Sequence, residues 1–263
     1  MNLMLDLKPP VRPRSRVARA ALTLALFALT ATAFAAVALR AGAVEPFAGF
    51  VAALAGLGLA AFAALVGVIG AVIVWRTGAR GGVRALFAIA IAAALLAGPA
   101  YVAGRAFQKP RLPDVSTDLA DPPAFTRARL DRKPGDAAPP GAIAHAQAEA
   151  QKAAYPEIAP LRLAVSPEEA AGLVIGLIEQ RGWRLLGPTS YPRGGPPRTS
   201  FEATARTPVL GLSDDVAIRI RPDGENGSRV DMRSAARIGA ADFGAAAERV
   251  RSFLADLAAA AAP

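Results

Sequence analysis

The sequence predicts a membrane-anchored α+β protein. Three transmembrane helices come first, followed by an extracytoplasmic domain in which an antiparallel sheet carries two helices on one face. Three observations carry this expectation. Residues 20–39, 47–75 and 85–104 are long runs without a single charge. Basic residues bracket those runs unevenly. Beyond residue 160, strand-like alternation and helix-like apolar stripes succeed one another in a regular order.

Each apolar run holds 20 residues or more. At roughly 1.5 Å rise per residue, about 20 residues cross a bilayer core. A buried helix of a water-soluble bundle would keep a polar face, and these keep none. Trp75 and Tyr101 stand near run ends, where amphipathic rings favour the interface. The second run exceeds one crossing, so it tilts or begins a few residues after Pro46. Gly56, Gly67 and Gly70 allow close helix contact, chiefly among the three helices themselves. A cleaved signal peptide competes for the first run, with Ala31-Thr32-Ala33 and Ala33-Phe34-Ala35 as candidate cleavage motifs. The apolar stretch is too long for that, and two more spans follow, so a retained anchor is expected.

Orientation follows from the cations. Lys8, Arg12, Arg14, Arg16 and Arg19 precede the first run, and Arg76, Arg80 and Arg84 separate the second from the third. Only Arg40 lies between the first and second. The positive-inside rule then places the N-terminus in the cytoplasm and residues 106–263 outside, in a periplasm if the cell has one. The protein is expected in the inner (plasma) membrane.

The net charge of +9 invites a nucleic-acid reading, which its distribution removes. Residues 1–105 hold 10 basic and 2 acidic groups, whereas residues 106–263 hold 20 and 19. The excess belongs to membrane topology, and the outer domain has no basic field for phosphate backbones. The chain has no cysteine, which excludes disulfides and thiolate chemistry. Its one histidine, His145, cannot build a multi-His metal cluster and has no evident triad partners. No P-loop, Gly-x-Ser-x-Gly or His-Glu-x-x-His motif occurs. Gly56-x-Gly58 lies inside an apolar run, and Asn226-Gly227 reads as a turn rather than a glycosylation site. No cofactor or metal is expected.

Residues 106–141 are Pro-rich and predict a collar without a long helix, ahead of a domain over 142–263. A helix is expected over 142–154, stopped by Pro156, and a short strand over 161–165. Ser166 then stands as an N-cap with Pro167 at N1 and Glu169 at N3. Ala170, Leu173, Val174, Leu177 and Ile178 make the apolar stripe of that helix, and Gly182 ends it. A strand over 183–186, a loop over 187–197 and a strand over 200–207 follow. Val216, Ile218 and Ile220 alternate with Arg219 and Arg221 in a hairpin centred near Glu225, which sets Ile218 against Met232 and Arg219 against Asp231. Asp242 or a neighbour caps a last helix whose stripe is Phe243, Ala246, Val250, Phe253 and Leu257.

Three segments, PDVSTDLADPPAF, GLSDDVAIRIRP and SRVDMRSAARIGAADFGAAAERVRSFLADL, resemble the bacterial domain-of-unknown-function 1499 family in their order and content. The resemblance covers about residues 112–257. It implies an envelope location and brings no activity, cofactor or catalytic residue.

Two polar constellations stand out. Asp114, Asp118 and Asp121 form the first; Asp114-x-Ser116-x-Asp118 starts like a calcium loop, but Leu119 and Phe125 occupy the positions an EF-hand gives to Gly and Glu. An irregular cation site is one reading, and a turn-forming collar with Phe125 as its core anchor is the stronger one. Asp214, Asp215, Arg219, Asp231, Arg233, Arg237 and Asp242 form the second set, with Asp215, Arg219, Asp231 and Arg233 on one polar sheet face. It reads as an Arg clamp for a polar ligand or as a solvated ion-pair ladder. The expected role is non-catalytic binding or scaffolding, with the bilayer and an envelope protein or polar ligand as partners. The alternative is a hydrolase or transferase pairing Asp118 or Asp121 with Asp214 or Asp215.

Overall fold

The computed structural model describes residues 13–106, 112–190, 199–238 and 244–262. The chain forms two compact units. The first holds most of the residues before Tyr101, and the second holds Leu39–Ala48 and Val102–Pro263.

The first unit is built from α1 (Arg16–Arg40), α2 (Pro46–Thr77) and α3 (Gly82–Ala106). They run 25, 32 and 25 residues, or about 37 to 48 Å, so each is long enough to cross a bilayer. The longest starts at Pro46 itself, at the first helical position where a missing N–H costs nothing. Small residues fill the helix interfaces: Ala21, Ala25, Ala28, Ala60, Ala63, Ala88 and Ala92 are fully buried. Phe27, Phe34, Phe62, Leu65 and Phe87 point outward. This arrangement suits a lipid solvent, where close approach of small residues drives helix association. A Cβ on Gly70 would lie 3.1 Å from Ala18 Cα, and one on Gly67 2.9 Å from Ile89 Cγ1, so these glycines serve contact among the three helices. The segment before α1 pairs with the turn between α2 and α3, with Ser15 N–H donating to Arg80 and Arg80 N–H to Pro13.

The second unit follows the order β1 (Asp114–Ser116), α4 (Arg127–Leu130), α5 (His145–Ala154), β2 (Leu161–Leu163), α6 (Pro167–Gln180), β3 (Arg184–Ser190), β4 (Thr199–Arg206), β5 (Ser213–Asp223), β6 (Gly227–Ala236) and α7 (Ala245–Ala260). The sheet is antiparallel throughout, in the order β1-β6-β5-β4-β3, and β2 shares the outer edge of β6 with β1. Ile218 faces Met232 and Arg219 faces Asp231, the register the hairpin predicts.

Helices α6 and α7 pack on one face of the sheet. Val174, Ile178, Val250, Phe253 and Leu257 interdigitate there with Phe201, Val216, Ile218, Ile220, Val230 and Met232. The Ser166 hydroxyl accepts from Glu169 N–H and starts α6 as expected. At its end Gly182 takes φ +63°, while Gly182 and Trp183 donate to Glu179 and Ile178, closing a Schellman motif.

Three expectations need correction. The helix expected over 142–154 starts at His145. The loop expected from Gly187 is strand as far as Ser190, with a bulge at Leu186 and Pro188 on the edge strand, where no inner ladder bond is lost. Residues 114–116, read as collar, are a sheet strand. The expected Asp242 cap and Phe243 lie outside the described residues; among the described ones, Gly244 at φ +84° precedes α7.

Candidate functional site

The second face of the sheet holds most of the polar candidates. Alternation places Glu202 and Thr204 of β4, Asp215, Arg219 and Arg221 of β5, and Arg229, Asp231 and Arg233 of β6 on it. An open face would leave these side chains wet. Instead Glu202, Asp215, Arg219, Asp231, Arg233 and Arg237 are all buried. Residues from 113 to 141 lie over them, with Phe125 and Ala128 packed on Ala217 and Ala235. The solvated-ladder reading is therefore overturned: the ion pairs form the inner layer between sheet and collar.

One cluster is centred on Asp231. Its carboxylate accepts from Arg219 Nε at 3.2 Å and Nη2 at 3.0 Å, from Arg221 Nη2 at 2.6 Å and from Arg229 Nε at 3.0 Å. The same three guanidiniums reach the collar. Asp118 accepts from Arg229 Nη2 at 2.9 Å and Arg221 Nη2 at 3.1 Å, and Asp121 accepts from Arg219 Nη1 at 2.9 Å. Asp118 also accepts from the backbone N–H groups of Ala120 and Asp121, which fixes the turn expected of this stretch. Burial pushes the Asp118 carboxyl up, but the Asp121 N–H and the Arg221, Arg229 and Arg219 guanidiniums outweigh it and hold the group below the usual carboxylate value.

A second cluster is centred on Asp215. Its oxygens accept from Arg132 Nη2 at 2.5 Å and from Arg237 Nε at 2.7 Å. Arg237 also donates to Asp131 at 3.0 Å and to the Thr204 hydroxyl at 3.2 Å, and lies 3.5 Å from Asp136. Arg184 holds Asp131 from β3. Burial pushes the Asp215 carboxyl up against the pull of Arg237 and Arg132. Asp131 is also pushed up by burial, but its bonds from Arg184 and Arg237 win and lower it.

Between the clusters, Arg233 makes a two-pronged contact with Asp114 at 2.8 and 2.7 Å. It donates also to the carbonyls of Pro123 and Gly141, and its guanidinium lies 5.1 Å from the Phe125 ring centre. The Asp114, Asp118 and Asp121 set thus serves as counter-ions to arginines, and Phe125 is the core anchor the sequence suggests.

Asp214 departs from the other candidates. One residue from Asp215 on a strand, it points to the helix face and pairs with Arg249 of α7, which also donates to Ser234 at 2.7 Å. The proposed partnership of Asp118 or Asp121 with Asp214 is therefore split across the sheet. Asp215 is four residues from Arg219 on β5, about 13 Å at roughly 3.3 Å per residue. Asp118 and Asp121 bind at the Arg219 end, so they and Asp215 belong to separate clusters.

Several structural residues escape a reading from sequence. Glu202, fully buried on β4, accepts from the N–H groups of Thr126, Arg127 and Ala128 at 2.8–3.1 Å and caps α4 from another element. Gln151 of α5 accepts from Ser116 N–H at 3.1 Å and donates to Ser116 carbonyl at 2.7 Å, while Gln147 donates to Asp114 carbonyl at 2.9 Å. Two glutamines at i and i+4 on one helix face thus continue the ladder beyond β1 and cover its free edge. The signal for the ion clusters was present: aspartates at 114, 118, 121, 131 and 136, and arginines at 219, 221, 229, 233 and 237. Only the fold shows that the two runs face each other.

No curated protein and no solved structure matches the chain. A family model described as a protein of unknown function, DUF1499, matches residues 114–257, which run from the first aspartate on Arg233 to the last buried leucine of α7. That match covers more than half of the sequence and all the paired carboxylates described above, and the chain belongs to the DUF1499 family.

Proposed function

We propose that this is an integral membrane protein of the cell envelope which displays a non-catalytic binding or scaffolding domain on the extracytoplasmic side of the inner membrane. One observation carries the non-catalytic part. All nine polar candidates among the described residues, Asp114, Asp118, Asp121, Asp214, Asp215, Arg219, Asp231, Arg233 and Arg237, are held in ion pairs, and of these only Asp121 is largely exposed. A general acid or base must exchange a proton with substrate, and a nucleophile must reach it. Carboxylates bound by guanidiniums in this way are arranged to hold segments in place instead. The hydrolase alternative loses its geometry with Asp214 on the other face. The cation alternative loses its ligands to Arg219, Arg221, Arg229 and Arg233.

Orientation rests on the cations. Arg14 and Arg80 are brought side by side, so the basic N-terminal segment and the basic turn between α2 and α3 share one end of the helical unit. The positive-inside rule assigns that end to the cytoplasm. Alkaline phosphatase fused after Pro263 is expected to be active, and a fluorescent protein at that position dark; the reverse pattern would refute the orientation. Photo-crosslinking in cells from exposed positions of α6 and α7 in the full chain is expected to trap an envelope component. Recovery of the uncrosslinked protein alone would remove the binding role.

A further inference from the structure

We propose that the face formed by Leu130, Val209 and the cations around them docks onto anionic phospholipid headgroups. This rests on the membrane reading above and goes beyond it. Sixteen lysines and arginines lie among the described residues of 112–262. Twelve of them hold a carboxylate. The other four, Arg127, Arg129, Lys133 and Arg206, are exposed and have no carboxylate partner among the described residues. All four flank the two most exposed large apolar side chains of the domain, Leu130 at 85% and Val209 at 74%. In a domain whose other described cations each hold a carboxylate, this grouping is a pattern with a ligand chemistry. Apolar tips ringed by unpaired cations fit an interface of acyl chains beneath phosphates.

The two segments are neighbours: a single cavity of about 470 Å³ is lined by Asp131, Lys133, Arg206, Gly211 and Leu212, among others. Two observations point to a bilayer rather than a protein. Leu112 is buried in the domain core six residues after α3 ends at Ala106, so the chain between them reaches at most about 21 Å. The loop joining α1 to α2 also belongs to the second unit, and Arg40 in it donates to the carbonyls of Pro208 and Val209. Both observations concern segments joined through the chain to helices long and apolar enough to cross a bilayer.

The chain lacks cysteine, which makes the test clean. Leu130→Cys, Val209→Cys and, as a control on α6, Glu168→Cys are each labelled with an environment-sensitive fluorophore. The full-length protein is placed in lipid nanodiscs carrying nitroxide-labelled lipid, with phosphatidylcholine alone or with added phosphatidylglycerol. Labels at 130 and 209 should be quenched in the anionic discs and spared in the neutral ones, while the label at 168 stays unquenched in both. Neutralising Arg127, Arg129, Lys133 and Arg206 to Gln should abolish the quenching, each change lowering the docked-to-undocked ratio about fivefold. Quenching at 130 and 209 no greater than at 168 overturns the proposal while leaving the anchor intact. Equal quenching in both lipids overturns the anionic recognition. Failure of the protein to enter discs at all sinks the membrane reading, and this proposal with it.

Discussion

The burial of Asp231 makes a quantitative claim that one substitution tests. Asp231→Asn keeps the shape of the side chain and removes its charge. In the native domain this carboxylate has no exposure and accepts four guanidinium N–H groups from Arg219, Arg221 and Arg229. The amide offers one acceptor oxygen, and its NH₂ must face a guanidinium donor. Three arginines are then left with Asp118 and Asp121, and Asp121 is 60% exposed on its side chain. Removing one partner from a buried pair costs about 3–5 kcal/mol, because the remaining charge stays desolvated. Total stabilities of domains are about 5–15 kcal/mol, so this is a large share. For a domain of this size the melting point should fall on the order of 10 °C. The comparison is Asp256→Asn, whose carboxylate pairs with Arg181 but is 57% exposed; there the change should stay below about 1 kcal/mol. Trp183 reports the transition, since it stacks on Phe253 in the domain core at 5.3 Å. A Trp75→Phe background removes the only other indole. If the two substitutions shift thermal unfolding of the full-length protein equally, the cluster is not desolvated and the account of the covered sheet face is wrong.

Three further outcomes follow from the same geometry. Asp118 and Asp131 titrate below the ordinary value of 3.8 in the folded state, so they add stability that is present above that value and lost as pH falls through their lower folded values; urea midpoints should decline in that acid window, and Asp118→Asn should flatten the decline. Gln151→Ala strips the edge of β1 of both its bonds to Ser116 and should cost about 1–3 kcal/mol, read as faster amide exchange at Ser116, with exchange in β4 and β5 unchanged. Gly70→Leu drives a side chain into Ala18, whose Cα lies 3.1 Å from where a Cβ would stand, and should lower the thermal stability of the helical unit in detergent while the Trp183 transition stays where it was.

What the sequence made legible were features governed by local rules. Helix α6 announced itself through Ser166, Pro167 and Gly182, because capping chemistry acts within a turn. The hairpin register followed from period-two alternation and a short loop, and both are local. The second face of the sheet was not legible for the opposite reason. Arg219 and Asp231 alternate with apolar neighbours in the same way whether the polar face meets water or a covering chain. Only contacts spanning about a hundred residues, such as Asp121 on Arg219, distinguish the two cases. The same limit hid Glu202, whose capped helix lies 74 to 76 residues away. Asp214 and Asp215 show both sides of this line: alternation puts Asp215 and not Asp214 on the polar face, but the Arg249 partner that α7 brings to Asp214 lies 35 residues away.

Why a domain should cover half its sheet with arginine–aspartate pairs, rather than with leucines, has a physical answer in specificity. Ion pairs in low dielectric add little net stability over well-packed apolar groups, since desolvation offsets most of their attraction. They differ from apolar contacts in tolerating no slip. An apolar collar moved by one residue still buries its methyl groups. A collar moved by one residue here would strand Asp118 away from Arg221 and Arg229, and would break the Arg233 contact with Asp114. The segment that joins α3 to the domain reaches the sheet at β1, and its seat there is set by the same aspartates. On this reasoning the network fixes the register of the tether on the domain, and that accounts for carboxylates that line up like a site while none of them is left to act as one.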